Sequence, residues 1–146
     1  MALGTGSITR VLQQRQLGLF IIRLAVGIIM IVAGWSKFSA GSDVLNKVGA
    51  NVSYVGLNIG TDNAFTLFFG IMAAGTELIG GAFLVLGIFF RLSSFMLMGT
   101  MVVATAMKFQ VSGGDFREFG YPMLAGLVLL GLLFTGSGRI GVQKDD

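Results

Sequence analysis

Seven side chains in this sequence place a charged or hydrogen-bonding group among apolar neighbours: Arg23, Trp35, Lys37, Glu77, Lys108, Glu118 and Tyr121. A carboxylate with a guanidinium can form an ion pair or exchange protons with a ligand. Lysine and tyrosine can donate hydrogen bonds to carbonyl oxygens. The chain holds no histidine and no cysteine, so no disulfide, thiol relay, haem axial histidine or histidine-based metal site can be built from it. No metal ligand set is expected. Redox chemistry would need a bound organic molecule, with a quinone or a lipid as the candidates, or would belong to a partner.

Arg23 and Glu77 pose the sharpest question, because an ionisable group inside an apolar span costs several kcal/mol unless it is paired or solvated. Arg23 shares a helical stripe with Gly27 and Gly34, and Glu77 lies among Gly70, Ala74, Gly80, Gly81 and Gly87. Small residues mark the faces on which membrane helices approach each other, so both charges should face the bundle interior. Arg23 lies about 9 Å into its span and Glu77 about 20 Å from the same side, at 1.5 Å per residue. A buried Arg23–Glu77 pair that fixes helix register is therefore expected, directly or through one water. A ligand or proton site at Glu77, and no contact between the two, remain open.

The other five residues gather toward the opposite end of the spans. Trp35 and Lys37 close the first apolar run, Lys108 closes the third, and Glu118 and Tyr121 precede or open the fourth. Tryptophan, tyrosine and lysine are common anchors at a membrane boundary; the same residues could also form a ligand or quinone site. Lys37 is 14 residues from Arg23, four turns along the same face, and should point inward. The 13 phenylalanines and 8 methionines are spread through the spans and read as packing and lipid-facing residues.

The elements that must position these groups are apolar and long. Of the 146 residues 54% are hydrophobic and 12% charged, about half the charged fraction of a soluble domain, and mean hydropathy is +0.85. Apolar runs occupy 17–38, 64–90 and 92–109, and a fourth opens at Tyr121-Pro122 and ends near Phe134. The first, 22 residues long, reaches about 33 Å, enough to cross a hydrocarbon core of roughly 30 Å. The pattern predicts an all-α fold, a polytopic four-helix membrane bundle. Ser42-Asp43 is a capping sequence, and the apolar spacing after it predicts a short amphipathic helix over 43–55 in the first outer loop. Arg91 marks a tight turn, and 110–120 reads as a polar loop.

Four crossings put both termini on one side. Arg10, Arg15, Arg23, Arg91, Arg139 and Lys144 then lie toward that side, with Lys37, Lys47, Lys108 and Arg117 opposite. Cations favour the cytoplasmic side, so 1–16 and 143–146 are expected to be cytoplasmic tails flanking one domain over 17–142. The net charge of +3 includes no basic run, and nucleic acid is not expected as a partner; the lipid bilayer is.

Arg23-Leu24-Ala25-Val26-Gly27 followed by Gly34-Trp35-Ser36-Lys37-Phe38, then Glu77-Leu78-Ile79-Gly80-Gly81, Leu86-Gly87-Ile88-Phe89-Phe90-Arg91-Leu92, Tyr121-Pro122 and Thr135-Gly136-Ser137-Gly138-Arg139 resemble, in order and spacing, the DoxX-like (DoxX/DoxD) membrane proteins. The resemblance runs over about 17–142. It implies four helices, with arginine in the first and glutamate in the second. Relatives often carry histidine near the end of the third helix, where this chain has Lys108. The resemblance further implies a bacterial cytoplasmic membrane and other membrane or redox subunits as partners. Three functions follow as expectations: a non-catalytic accessory or scaffold subunit of a redox or respiratory assembly; a quinone-interacting subunit such as that of a thiosulfate:quinone oxidoreductase; or a small proton-coupled transporter using Glu77.

Overall fold

A computed structural model of the protein describes residues 5–60 and 63–136, with side chains over 14–60 and 64–136. Five α-helices follow in order: α1 Thr5–Ser39, α2 Ser42–Ala50, α3 Asn63–Leu86, α4 Phe90–Val111 and α5 Phe116–Thr135, with a 3₁₀ segment Asn51–Val55 directly after α2. Four stretches are long and apolar enough to cross a membrane: Gln14–Ser39, Ala64–Leu86, Phe90–Val111 and Phe116–Thr135. The shortest has 20 residues and reaches about 30 Å, the thickness of a hydrocarbon core. Large apolar side chains such as Ile21, Phe68, Phe95 and Leu124 point outward, as they must where the solvent is lipid. The molecule is thus a four-helix transmembrane bundle with a short extra helix between its first two crossings.

Several boundaries differ from the sequence pattern, each for a local reason. Helix α1 starts at Thr5, so the polar segment before residue 17 continues the first span as helix. The turn between α3 and α4 lies at Gly87-Ile88-Phe89, before Arg91; Gly87 and Phe89 both take positive φ, 71° and 44°. Helix α5 starts at Phe116, within the expected 110–120 loop. Its cap is Asp115, whose side chain accepts a 3.0 Å hydrogen bond from the Arg117 N–H. Pro122 therefore lies inside α5, in its second turn, beyond the first helical position where its missing N–H costs nothing. At α2 the cap position is Gly41, with no side-chain capping bond from Ser42 or Asp43. Arg139, Lys144 and the tail after residue 136 lie outside the described residues, as does the side chain of Arg10.

Two tight helix pairs make the bundle. In the first, α1 meets α3 through glycine. A Cβ on Gly27 would stand 2.9 Å from the Gly81 carbonyl oxygen, and one on Gly34 would stand 2.7 Å from that of Ala74. In the second pair, α4 lies along α5. The pairs meet more sparsely, α3 against α4 and α1 against α5 at a few points. Near the side of the termini the gap is filled by Leu84, Phe90, Leu97, Leu129 and Leu132, with Met30 and Met101 at mid-depth.

The far side is built differently. Gly34 lies between Ala74 and Leu78 in an antiparallel register, so α3 extends roughly two turns beyond the end of α1. Helix α2 packs on that overhang, backbone to backbone: a Cβ on Gly49 would fall 1.7 Å from the Thr66 carbonyl oxygen, and one on Gly70 1.9 Å from that of Leu45. Thr66 Oγ1 donates to Asn46 Oδ1 at 2.9 Å. Gln110 Nε2 on α4 donates to the Tyr54 carbonyl at 3.1 Å, tying the 3₁₀ segment to the second pair. The loop element thus bridges the two pairs and covers the space between them.

Candidate functional site

The space left between the pairs on the α2 side is a cavity of about 530 Å³. Every element contributes to its wall: Met30, Ala33 and Lys37 from α1, Val48 and the 3₁₀ residues Asn51 and Val52, Thr76 and Glu77 from α3, Thr100 and Lys108 from α4, and Tyr121 and Pro122 from α5. Five of the eight methionines in the chain, Met30, Met72, Met96, Met101 and Met107, line it. Their unbranched, polarisable side chains adapt to irregular shapes. The methionines are thus less evenly spread than the sequence suggests, because helix phase gathers five of them around one space, with Met72 and Met96 at its exposed edge.

One ion pair is set into that wall. Lys37 Nζ donates to both carboxylate oxygens of Glu77. The Glu77 side chain is 2% exposed and that of Lys37 26%. An ammonium carries three donors; two point at Glu77, and the third has no protein acceptor among the described residues. Because Lys37 and Glu77 both border the cavity, that donor can serve a molecule inside it. Thr76, Thr100 and Tyr121 add hydroxyl groups to a surface that is otherwise apolar.

The expected Arg23–Glu77 pair is not formed: Glu77 belongs to Lys37. The antiparallel register places Glu77 level with Ala33, one turn from Lys37 but ten residues from Arg23, about 15 Å along the helix. Arg23 is buried, as its stripe predicted, but it stacks on Phe20, 5.3 Å from the ring centroid. Lys37 points inward and reaches a carboxylate near mid-membrane, beneath α2, where an interfacial anchor had been the alternative.

The remaining residues of that constellation divide. Lys108 and Tyr121 share the cavity wall with Lys37. Glu118 does not border the cavity; it takes a 3.4 Å salt bridge from Lys108 at an exposed position, and such surface pairs contribute little to stability. Trp35 is 65% exposed on the outer surface of α1, away from the cavity, where a boundary anchor belongs. The sequence reading missed Thr76 and Thr100. Thr76 sits one position before Glu77, and only the cavity marks either threonine as distinct from other span hydroxyls. Among the described residues no cluster of acidic residues could hold a metal ion.

The family model for DoxX matches residues 18–111, well over half of the chain and all of the first three crossings apart from the start of α1. The chain belongs to the DoxX family. The DoxX match includes Arg23, Lys37, Glu77 and Lys108, so the ion pair lies within the matched region, whereas Tyr121 and α5 lie beyond it. No curated protein and no solved structure gives a match.

Proposed function

We propose that this DoxX-family protein is the membrane subunit of a bacterial redox assembly, and that its own contribution is to hold a quinone headgroup in the cavity beside Lys37. The observation that carries this reading is the polar wall inside an apolar chamber: the Lys37–Glu77 pair, with one ammonium donor to spare, in a space of about 530 Å³. Small-molecule sites commonly span about 300–1,000 Å³, mostly apolar with a few convergent polar groups. A quinone carbonyl accepts from an ammonium or a hydroxyl, and its ring suits a methionine-lined surface. With no cysteine or histidine in the chain, the electrons would come from a partner protein, and the subunit would supply the binding site and membrane anchorage.

This reading adds a ligand to the accessory-subunit role without giving the chain a catalytic residue. Proton exchange at Glu77 is less well supported, because Lys37 already occupies both its oxygens. The localisation that goes with the proposal is the bacterial cytoplasmic membrane, with both termini cytoplasmic.

The test is a titration of the purified full chain in mild detergent with decylubiquinone. Saturable binding, weakened tenfold or more in the charge-free double variant Lys37→Gln/Glu77→Gln, is expected. Equal binding by the double variant would remove the ion pair from the site. An absence of binding by the unaltered chain, together with stable co-purification of other subunits, would leave a scaffold role in place of a quinone site.

A further inference from the structure

A second apolar space, a groove of about 440 Å³, lies on the outer face where α3 and α4 diverge. It shares Met72, Thr76 and Met96 with the cavity, so those three side chains are a common partition between the two. The groove runs past the point where a Cβ on Gly80 would lie 3.2 Å from Leu97, with Phe83, Leu92 and Ser93 lining it on the side of the termini, and its lips, Ile71 and Ile79, are half-exposed to lipid.

Two glycines beside the partition have no packing reason to be glycine. Gly75 borders the groove and Gly99 borders the cavity, and a Cβ on either would meet no atom within 4 Å. At Gly27, Gly34, Gly49 and Gly70, by contrast, an added Cβ would strike a neighbouring backbone. Glycine inside a helix is destabilising by roughly 0.5–1 kcal/mol relative to alanine. At Gly75 and Gly99 it keeps volume empty on both sides of a partition made largely of two flexible methionines.

We propose that cavity and groove are the head and tail subsites of one amphiphile: an oxygen-bearing head sits at Lys37, and a linear hydrocarbon tail passes between Met72 and Met96 into the groove and out to the bilayer. The proposal rests on the ligand reading above and extends it. It commits to a long-tailed ligand that is loaded sideways from the membrane. The adjacency of the two spaces, divided only by Met72, Thr76 and Met96, argues for this occupant, because a tail attached to a head in the cavity has the groove as its adjoining apolar outlet.

The experiment compares three probes on the purified full chain: 2,3-dimethoxy-5-methyl-1,4-benzoquinone, which is headgroup alone; decylubiquinone, the same ring with a ten-carbon tail; and decanoate, a carboxylate head on a chain of that length. The unaltered protein should bind decylubiquinone at least tenfold more tightly than the bare ring. Gly75→Leu, which fills the groove without meeting any atom at its Cβ, should cut that advantage below threefold and leave the bare ring unchanged. Gly131→Leu, at another open position that borders neither space, serves as the control for detergent partitioning and should retain the full advantage. An undiminished tail advantage in Gly75→Leu overturns the tail subsite while leaving the quinone headgroup site standing. Decanoate binding that Gly75→Leu weakens, with no binding of either quinone, upholds the two subsites and rejects the quinone reading. Binding of none of the probes overturns both.

Discussion

At the scale of single residues, Glu77 is costly to hold in the membrane interior, and Lys37 is what makes it tolerable. Breaking a buried ion pair by removing one partner costs about 3–5 kcal/mol, because the remaining charge is uncompensated. Lys37→Gln and Glu77→Gln should each lower the unfolding temperature in detergent, read by circular dichroism, and the double variant should recover part of the loss. Strictly additive effects would show that the two charges are not coupled. Arg23→Gln combined with Glu77→Gln should, by contrast, be additive, because Arg23 stacks on Phe20 some 15 Å away along the helix. The demand for a partner at Glu77 was legible from its place in an apolar run, and the inward direction of Lys37 from its spacing to Arg23. The choice between the two cations was not legible. It depends on how far α3 slides past α1, and that offset is set by the close approaches of Gly27 to Gly81 and of Gly34 to Ala74, which join residues of different helices.

At the scale of elements, the docking of α2 on α3 is the contact on which the cavity's cover depends. It is a backbone-to-backbone approach that only glycine permits, with a Cβ on Gly49 falling 1.7 Å from a carbonyl oxygen. No rotamer change relieves such a clash, so Gly49→Ala should be destabilising by about 1–3 kcal/mol, the usual cost of overpacking. It should also open the segment 42–55 to protease. Gly131→Ala, where nothing lies within 4 Å, should be neutral or slightly stabilising. If the two variants melt alike, α2 is not held against α3. A smaller effect is expected at α5: Asp115→Ala removes the acceptor for the Arg117 N–H and should cost about 1 kcal/mol, typical of a lost helix cap. The apolar spacing over 43–55 foretold the short helix, because amphipathic periodicity is local. Its seat on α3 was hidden, since Gly49 and Gly70 belong to different helices and their contact exists only in the tertiary fold. The start of α5 was misplaced because the polar residues 115–120 resemble a loop in composition, although Asp115 is a good cap.

At the scale of the whole molecule, two glycine- and leucine-packed helix pairs, solid toward the termini and parted beneath α2, make a membrane protein with an off-centre chamber. The four crossings could be counted from the apolar runs alone; the chamber could not, because empty space between helices leaves no pattern in a sequence. Its position relative to the two aqueous sides now turns on orientation. Arg15 and Arg91 lie on the side of the termini, and Lys47 and Arg117 lie on the side of α2. Lys37 is drawn into the membrane by Glu77 and Arg23 is buried, so neither counts as a loop cation, and the expectation of cytoplasmic termini rests on the five cations toward the termini against Lys47, Lys108 and Arg117. Reporter fusions at Ser7 and Asp146 should therefore both report the cytoplasm, and a reporter inserted at Ser53 should report the opposite side. Termini on opposite sides would mean an odd number of crossings and would end the four-helix account. Both termini outside would keep the fold and invert the chamber, so that Lys108, Tyr121 and the cover formed by α2 would face the cytoplasm, and a redox partner would have to meet the cavity from that side.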